Sequence, residues 1–187
     1  MTLEVDRAIV LDSTDELESY ILSEHIFWKV KHPNSASFFT SIPEFSLGNL
    51  LLSLARLKAS QEDMLAYPEI QDAVEKIENI KAHWTVNWSK KADAELQMRV
   101  RLWSGTINDL IENRSHFGLN YPYQIRMRAI IQLLIEEVLQ PNKVVAIVEE
   151  LDLALANLTS EADFCWEASL SRGFDLEKYW FLYRKLK

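Results

Sequence analysis

A single cysteine, Cys165, leaves this 187-residue chain without an internal disulfide, and one thiol does not supply the sulfur ligands of a structural zinc site. A reducing, cytoplasmic setting is the expectation that follows. Glycine (four residues) and proline (five) are too scarce for a collagen-like or linker-rich chain, and 48% apolar residues is too high a content for disorder. No stretch approaches 18 uninterrupted apolar residues, since even Ala129 to Leu139 contains Gln132, Glu136 and Glu137. The opening Met1-Thr2-Leu3-Glu4-Val5-Asp6 carries acids and lacks the long apolar core of a secretory signal. A membrane is therefore not an expected partner.

Catalytic signatures are missing too. There is no G-x-S-x-G, no glycine-rich phosphate loop and no dinucleotide fingerprint. His25, His32, His83 and His116 are scattered outside any HExxH or Glu-x-x-His pattern, and Glu112 with His116, one helical turn apart, lacks a nameable third ligand. Phe164 and Trp166 give Cys165 an apolar setting, which raises a thiol pKa. The adjacent acids Glu136-Glu137 and Glu149-Glu150 point about 100° apart on a helix and read as solvated faces. No catalytic residue, metal or cofactor is expected.

What is present is helical periodicity. Apolar residues recur three and four apart along most of the chain, and hairpin signals such as Asn-Gly are absent, so the expected class is all-α. The architecture that follows is a single-domain bundle of about seven helices with a long central segment. Ser13 and Glu16 form a capping-box pattern before Leu17, Tyr20, Ile21, Phe27 and Trp28, with His32-Pro33 as the stop. A competing reading makes Phe27 to Lys31 a short strand with no obvious partner. Ser41 and Glu44 repeat the capping pattern ahead of Leu47, Leu50, Leu51, Leu54 and Leu57, a helix apolar enough for the middle of the core.

Ser60 and Asp63 read as a short turn of helix that Pro68 stops. Ile70, Val74, Ile77, Trp84 and Trp88 then hold one helical phase, which gives way beyond Ser89 to a displaced stripe of Leu96, Val100, Trp103, Ile107 and Leu110. A break or kink is expected near residues 86 to 90. An unbroken helix over 69 to 116 would run about 72 Å, against a radius of gyration of about 16 Å for a compact chain of this length. Either the chain turns or a second copy covers the excess. Further helices are expected over 121 to 139 and 145 to 158, from Ser160 to about Ser171, and over 176 to 183 with Asp175 as cap. Residues 42 to 58, 69 to 116 and 121 to 139 make the central bundle.

Charge is uneven. Residues 81 to 128 hold eight Lys and Arg against four acids, an island of +4 in a chain of net −8 that leaves −12 elsewhere. Aromatics share this island, but the acidic overall field disfavours nucleic acid as a partner. In Arg99-Val100-Arg101 and Arg126-Met127-Arg128 the paired arginines point about 200° apart on a helix, so at most one of each faces a common cleft. Arg99 and Arg126 are the members selected. The plain reading pairs Arg99 with Glu95 four residues away. The functional reading is an inter-helix pocket of Trp84, Trp88, Arg99 and Arg126 that takes a carboxylate or phosphate.

Six tryptophans, and the run Tyr179-Trp180-Phe181-Leu182-Tyr183 that one helix face cannot bury, point instead to contact with protein. The leading expectation is a non-catalytic interaction or scaffold protein that forms a homo-oligomer, a dimer in the simplest case, or docks a protein partner. Its contact surfaces are the long middle segment and Tyr179, Trp180 and Tyr183. The alternative is an anion-binding protein or enzyme built on the Trp/Arg pocket.

Overall fold

The computed structural model describes residues 2–30, 44–60, 67–112 and 120–187. Among them are eight α-helices, α1 (Leu3–Ser13), α2 (Leu17–Leu22), α3 (Leu47–Ser60), α4 (Pro68–His83), α5 (Thr85–Glu112), α6 (Tyr121–Gln124), α7 (Arg126–Glu137) and α8 (Asn142–Leu158). A small antiparallel ribbon of β1 (Thr159–Glu161) and β2 (Arg184–Leu186) follows, with 3₁₀ turns at Ala168–Gly173 and Trp180–Tyr183 between its strands. The fold is an all-α helical bundle. None of the described helices is long and apolar enough to cross a membrane.

α3 occupies the middle and packs against α1, α5, α7 and the Ala168–Gly173 turn. Leu47, Leu50, Leu52 and Leu57 are fully buried there, each contributing about 1.5–3 kcal/mol by leaving water. α5 packs along α7 and α8 and touches α2. Of the expected central bundle, α3, α5 and α7 pack together, while α4, the first part of the 69 to 116 segment, lies mainly against α1.

The start of the chain differs from expectation. α1 has no counterpart in the apolar pattern, because Asp6 and Asp12 interrupt its inner face, yet both are buried. Asp6 Oδ2 accepts from Arg56 Nε at 2.8 Å and Asp6 Oδ1 from Ser53 Oγ at 3.0 Å. Ser13 does not open a capping box; its hydroxyl donates to the Val10 carbonyl, and Glu16 Oε2 accepts from Trp28 Nε1 at 2.7 Å. The helix carrying Tyr20 ends at Leu22, so Phe27 and Trp28 lie outside it. The strand-like alternation at Phe27 did have a partner: Trp28 bridges Phe45 in antiparallel fashion. The expected stop at His32-Pro33 lies outside the described residues.

The middle break falls at Trp84 rather than at 86 to 90. Trp84 leaves helical geometry (φ −111°, ψ 36°) while its N–H still donates to Ile80 O. The Thr85 hydroxyl meets the carbonyls of Lys81 and Ala82, so the kink leaves backbone groups partnered. Pro68 opens α4, at the first-turn position where its missing N–H is harmless, and the short helical turn expected before it lies outside the described residues. Ser60 ends α3, and Asp63 lies outside the described residues.

Neither expected helix beyond Ser160 forms. Thr159–Glu161 pairs with Arg184–Leu186, and the five bulky residues 179 to 183 run through a 3₁₀ turn. That geometry buries what one α-helical face cannot: Tyr179, Phe181 and Leu182 are buried, while Trp180 and Tyr183 are half-buried. Tyr179 meets Phe174 edge-on at 5.0 Å, and the Tyr183 hydroxyl donates to the Phe174 carbonyl at 2.7 Å. Asp175 does accept from the Lys178 N–H, but only a turn follows.

Burial pushes the Asp6 carboxyl up despite the Arg56 guanidinium beside it, as expected where desolvation exceeds the attraction of the pair. Removing the acid is nevertheless the costlier state, because it strips a buried guanidinium of an internal partner. Asp6→Ala is expected to lower unfolding free energy by about 3–5 kcal/mol, read from urea denaturation; a loss below about 1 kcal/mol, the size of an exposed pair, would show that the pair does not join α1 to α3.

Candidate functional site

The N-terminus of α3 meets α5 and α7 through side chains drawn from several elements. A helix start leaves its first backbone N–H groups without intrahelical partners, and here Leu47, Gly48 and Asn49 find theirs in side chains. Leu47 donates to the Tyr20 hydroxyl at 3.0 Å and Gly48 to Glu95 Oε2 at 2.9 Å. Asn49 donates to Ser46 Oγ at 3.3 Å and Leu50 to the Ser46 carbonyl at 3.0 Å. Ser46 is therefore the cap, and the expected cap Ser41 lies outside the described residues.

Glu95 is fully buried on α5, with its other oxygen accepting from Arg99 Nε at 2.7 Å. The four-residue pairing expected from the sequence is present. Arg99 Nη2 also donates to Ser46 Oγ at 3.1 Å. Gly48 has no room for a side chain: a Cβ there would collide with Ile130 Cγ2 of α7 and lie 2.7 Å from Glu95 Oε1.

Beside this knot lies a cleft of about 290 Å³ that Arg99 and Arg126 both line. Phe27, Met127 and Ile130 supply apolar wall, Asn49 and Gln124 supply amides, and Glu44 and Tyr123 complete the lining. Arg126 is partly buried and makes no hydrogen bond or close ion pair among the described residues. Burial pulls its guanidinium below the ordinary arginine value; Asp6 opposes this by attraction, while Arg56 and Arg99 reinforce it by repulsion. A cation in this position gains from an incoming anion without first breaking an internal pair.

The other arginine of each triplet points elsewhere. Arg128 grips Asp152 of α8 with two bonds of 2.8 Å, and Arg101 is exposed.

The two tryptophans assigned to this pocket are not in it. Trp88 is buried against a second cleft of about 470 Å³, where its Nε1 donates to Glu137 Oε2 at 2.9 Å. The Lys81 and Lys178 cations on that rim pair with Glu137 and Glu136, both at 2.7 Å. Trp84, at the kink, donates to Glu18 Oε1 at 2.9 Å and lines a third depression with His83. Trp88 and Arg99 share a helical face but stand eleven residues apart, about 16 Å along the axis, too far for one small pocket.

The sequence reading missed Phe27, Asn49 and Met127. Asn49, an amide in a leucine-rich helix, was the one legible signal among them.

No group of three residues suited to holding a metal comes together among the described residues. Glu112 ends α5, and His116 lies outside the described residues. No family model, curated protein or solved structure matches the chain, so the chemistry of the cleft has to speak for itself.

Burial pushes the half-buried Cys165 thiol up to about 12. At pH 8 its thiolate fraction in the folded protein is then lower than in the unfolded chain by on the order of a thousandfold. Iodoacetamide is expected to alkylate the native protein at least about 100-fold more slowly than the urea-unfolded one, with the native rate rising through pH 10. Equal rates would show an activated thiol.

Proposed function

We propose that the chain binds a small anionic molecule in the cleft between α3, α5 and α7, with Arg126 as the anchoring cation and Arg99 as a fixed wall. The support is Arg126 itself, a partly buried guanidinium with no hydrogen bond or close ion pair among the described residues. Desolvated cations are ordinarily paired inside the fold, as Arg56, Arg99 and Arg128 are with Asp6, Glu95 and Asp152. Arg126, which has neither such a pair nor a hydrogen bond among the described residues, lines a cavity near the lower size limit of small-molecule sites.

Self-association through helix surfaces is the second reading. Tyr179, Trp180 and Tyr183 lend it less than the sequence suggested, because their packing is largely internal. Its remaining support is the exposed Leu102 and Ile111 on the middle segment, together with Leu153 of α8. Scattered apolar residues of that kind are common on monomers, so the cleft is the stronger ground.

Titration with acetate, benzoate and inorganic phosphate, followed by amide NMR, separates the two readings. At least one of these anions is expected to shift residues 124 to 130 in a saturable way, and Arg126→Met is expected to weaken that binding about 10- to 100-fold, the worth of one hydrogen bond to a charged group. Shifts that are absent, or unchanged in the variant, would reject the cleft as an anion site.

A further inference from the structure

We infer that the molecule this cleft takes is a monocarboxylate with a flat apolar body, of the phenylacetate kind, and not a phosphate or a dicarboxylate; the inference rests on the Arg126 cleft being an anion site. Three features of the lining select that class.

The first is charge. Two arginines line the cleft, but Arg99 is already held by Glu95 and Ser46, bonds that an anion would have to break. One uncommitted cation remains, and the Glu44 carboxylate on the rim opposes a second negative charge. A dianion would face Glu44 with only Arg126 to balance it, whereas a monoanion leaves the charge matched.

The second is shape. A guanidinium presents paired N–H groups that fit the two oxygens of a carboxylate side by side. The third is the wall. Met127 and Ile130, on the same helix as Arg126, and Phe27, from the segment after α2, line the cleft with the arginine, and Phe27 is 44% exposed. An exposed aromatic ring in a cleft lining gains burial from an apolar ligand body, and a thioether in the same lining accommodates a ring. Simple acetate would leave that wall in water.

The test compares phenylacetate, acetate and inorganic phosphate on the full chain by isothermal titration and amide NMR. It uses the native protein, Arg126→Met and Phe27→Ser, with circular dichroism checking that each variant retains its helix content. Phenylacetate is expected to bind at least about tenfold more tightly than acetate, the worth of burying part of a ring, and phosphate no more tightly than acetate. Phe27→Ser is expected to reduce the preference for phenylacetate several-fold while leaving acetate unchanged, because Phe27 is exposed enough for its loss to spare the fold. Arg126→Met is expected to weaken both carboxylates.

Phosphate binding more tightly than phenylacetate, with that binding lost in Arg126→Met, would overturn the ligand class and leave the anion site standing. Phenylacetate binding that survives Arg126→Met would mark simple adsorption of a ring and overturn the inference. Failure of all three probes to respond to Arg126 would remove the anion site along with it.

Discussion

Glu95 has no exposed surface, and its two oxygens are divided between the Arg99 guanidinium on its own helix and the Gly48 N–H at the start of α3. The carboxylate therefore does for α3 what a capping side chain usually does, but from another helix, with its charge near the positive end of the α3 dipole. The arrangement needs the α3 backbone to approach α5 and α7 closely, and a Cβ at Gly48 would prevent that. The buried acid thereby ties α3 to α5, and the bare Gly48 backbone lets Ile130 of α7 close against them. Losing either partner of the ion pair would strand a charge away from water, the costly way to break such a pair. Arg99 is in consequence a structural cation, and the character of the adjoining cleft is left to Arg126.

The same economy of acids explains the tryptophans. Six indoles in a chain of net charge −8 looked like surface waiting for a partner. In the fold three of them donate to glutamates on other elements: Trp28 to Glu16, Trp84 to Glu18 and Trp88 to Glu137. Trp166 donates to the Pro122 carbonyl. Each contact joins an apolar ring to a polar acceptor across two segments, which is how a buried indole keeps its N–H partnered. Trp103 differs, with a buried N–H that has no acceptor among the described residues, and Trp180 is half-buried.

Helices whose inner faces are continuous were legible from spacing alone. α3, α7 and α8 lie where their leucine, isoleucine and valine stripes place them, and the change of stripe announced the kink within a few residues of Trp84. Two kinds of element were not legible. α1 hides two buried aspartates in its inner face, and a period of apolar residues does not register an acid whose partner, Arg56, lies fifty residues away. The C-terminal run of aromatics reads as a helix with surplus grease until β1 and β2 pair, because pairing across more than twenty residues leaves no local trace. The site divides in the same way. Glu95 with Arg99 is a local pair and was visible, whereas Phe27 and Asn49 reach the cleft only through tertiary packing.

The contrast between a locked Arg99 and an open Arg126 is observable directly, in Nε–Hε spectra of the arginine side chains recorded with solvent-exchange transfer at neutral pH. The expected result is a slowly exchanging Arg99 Hε, held by Glu95, and an Arg126 Hε that exchanges rapidly and moves on addition of a carboxylate. An Arg126 Hε as protected as that of Arg99 in the free protein would show an internal partner, and would contradict the account.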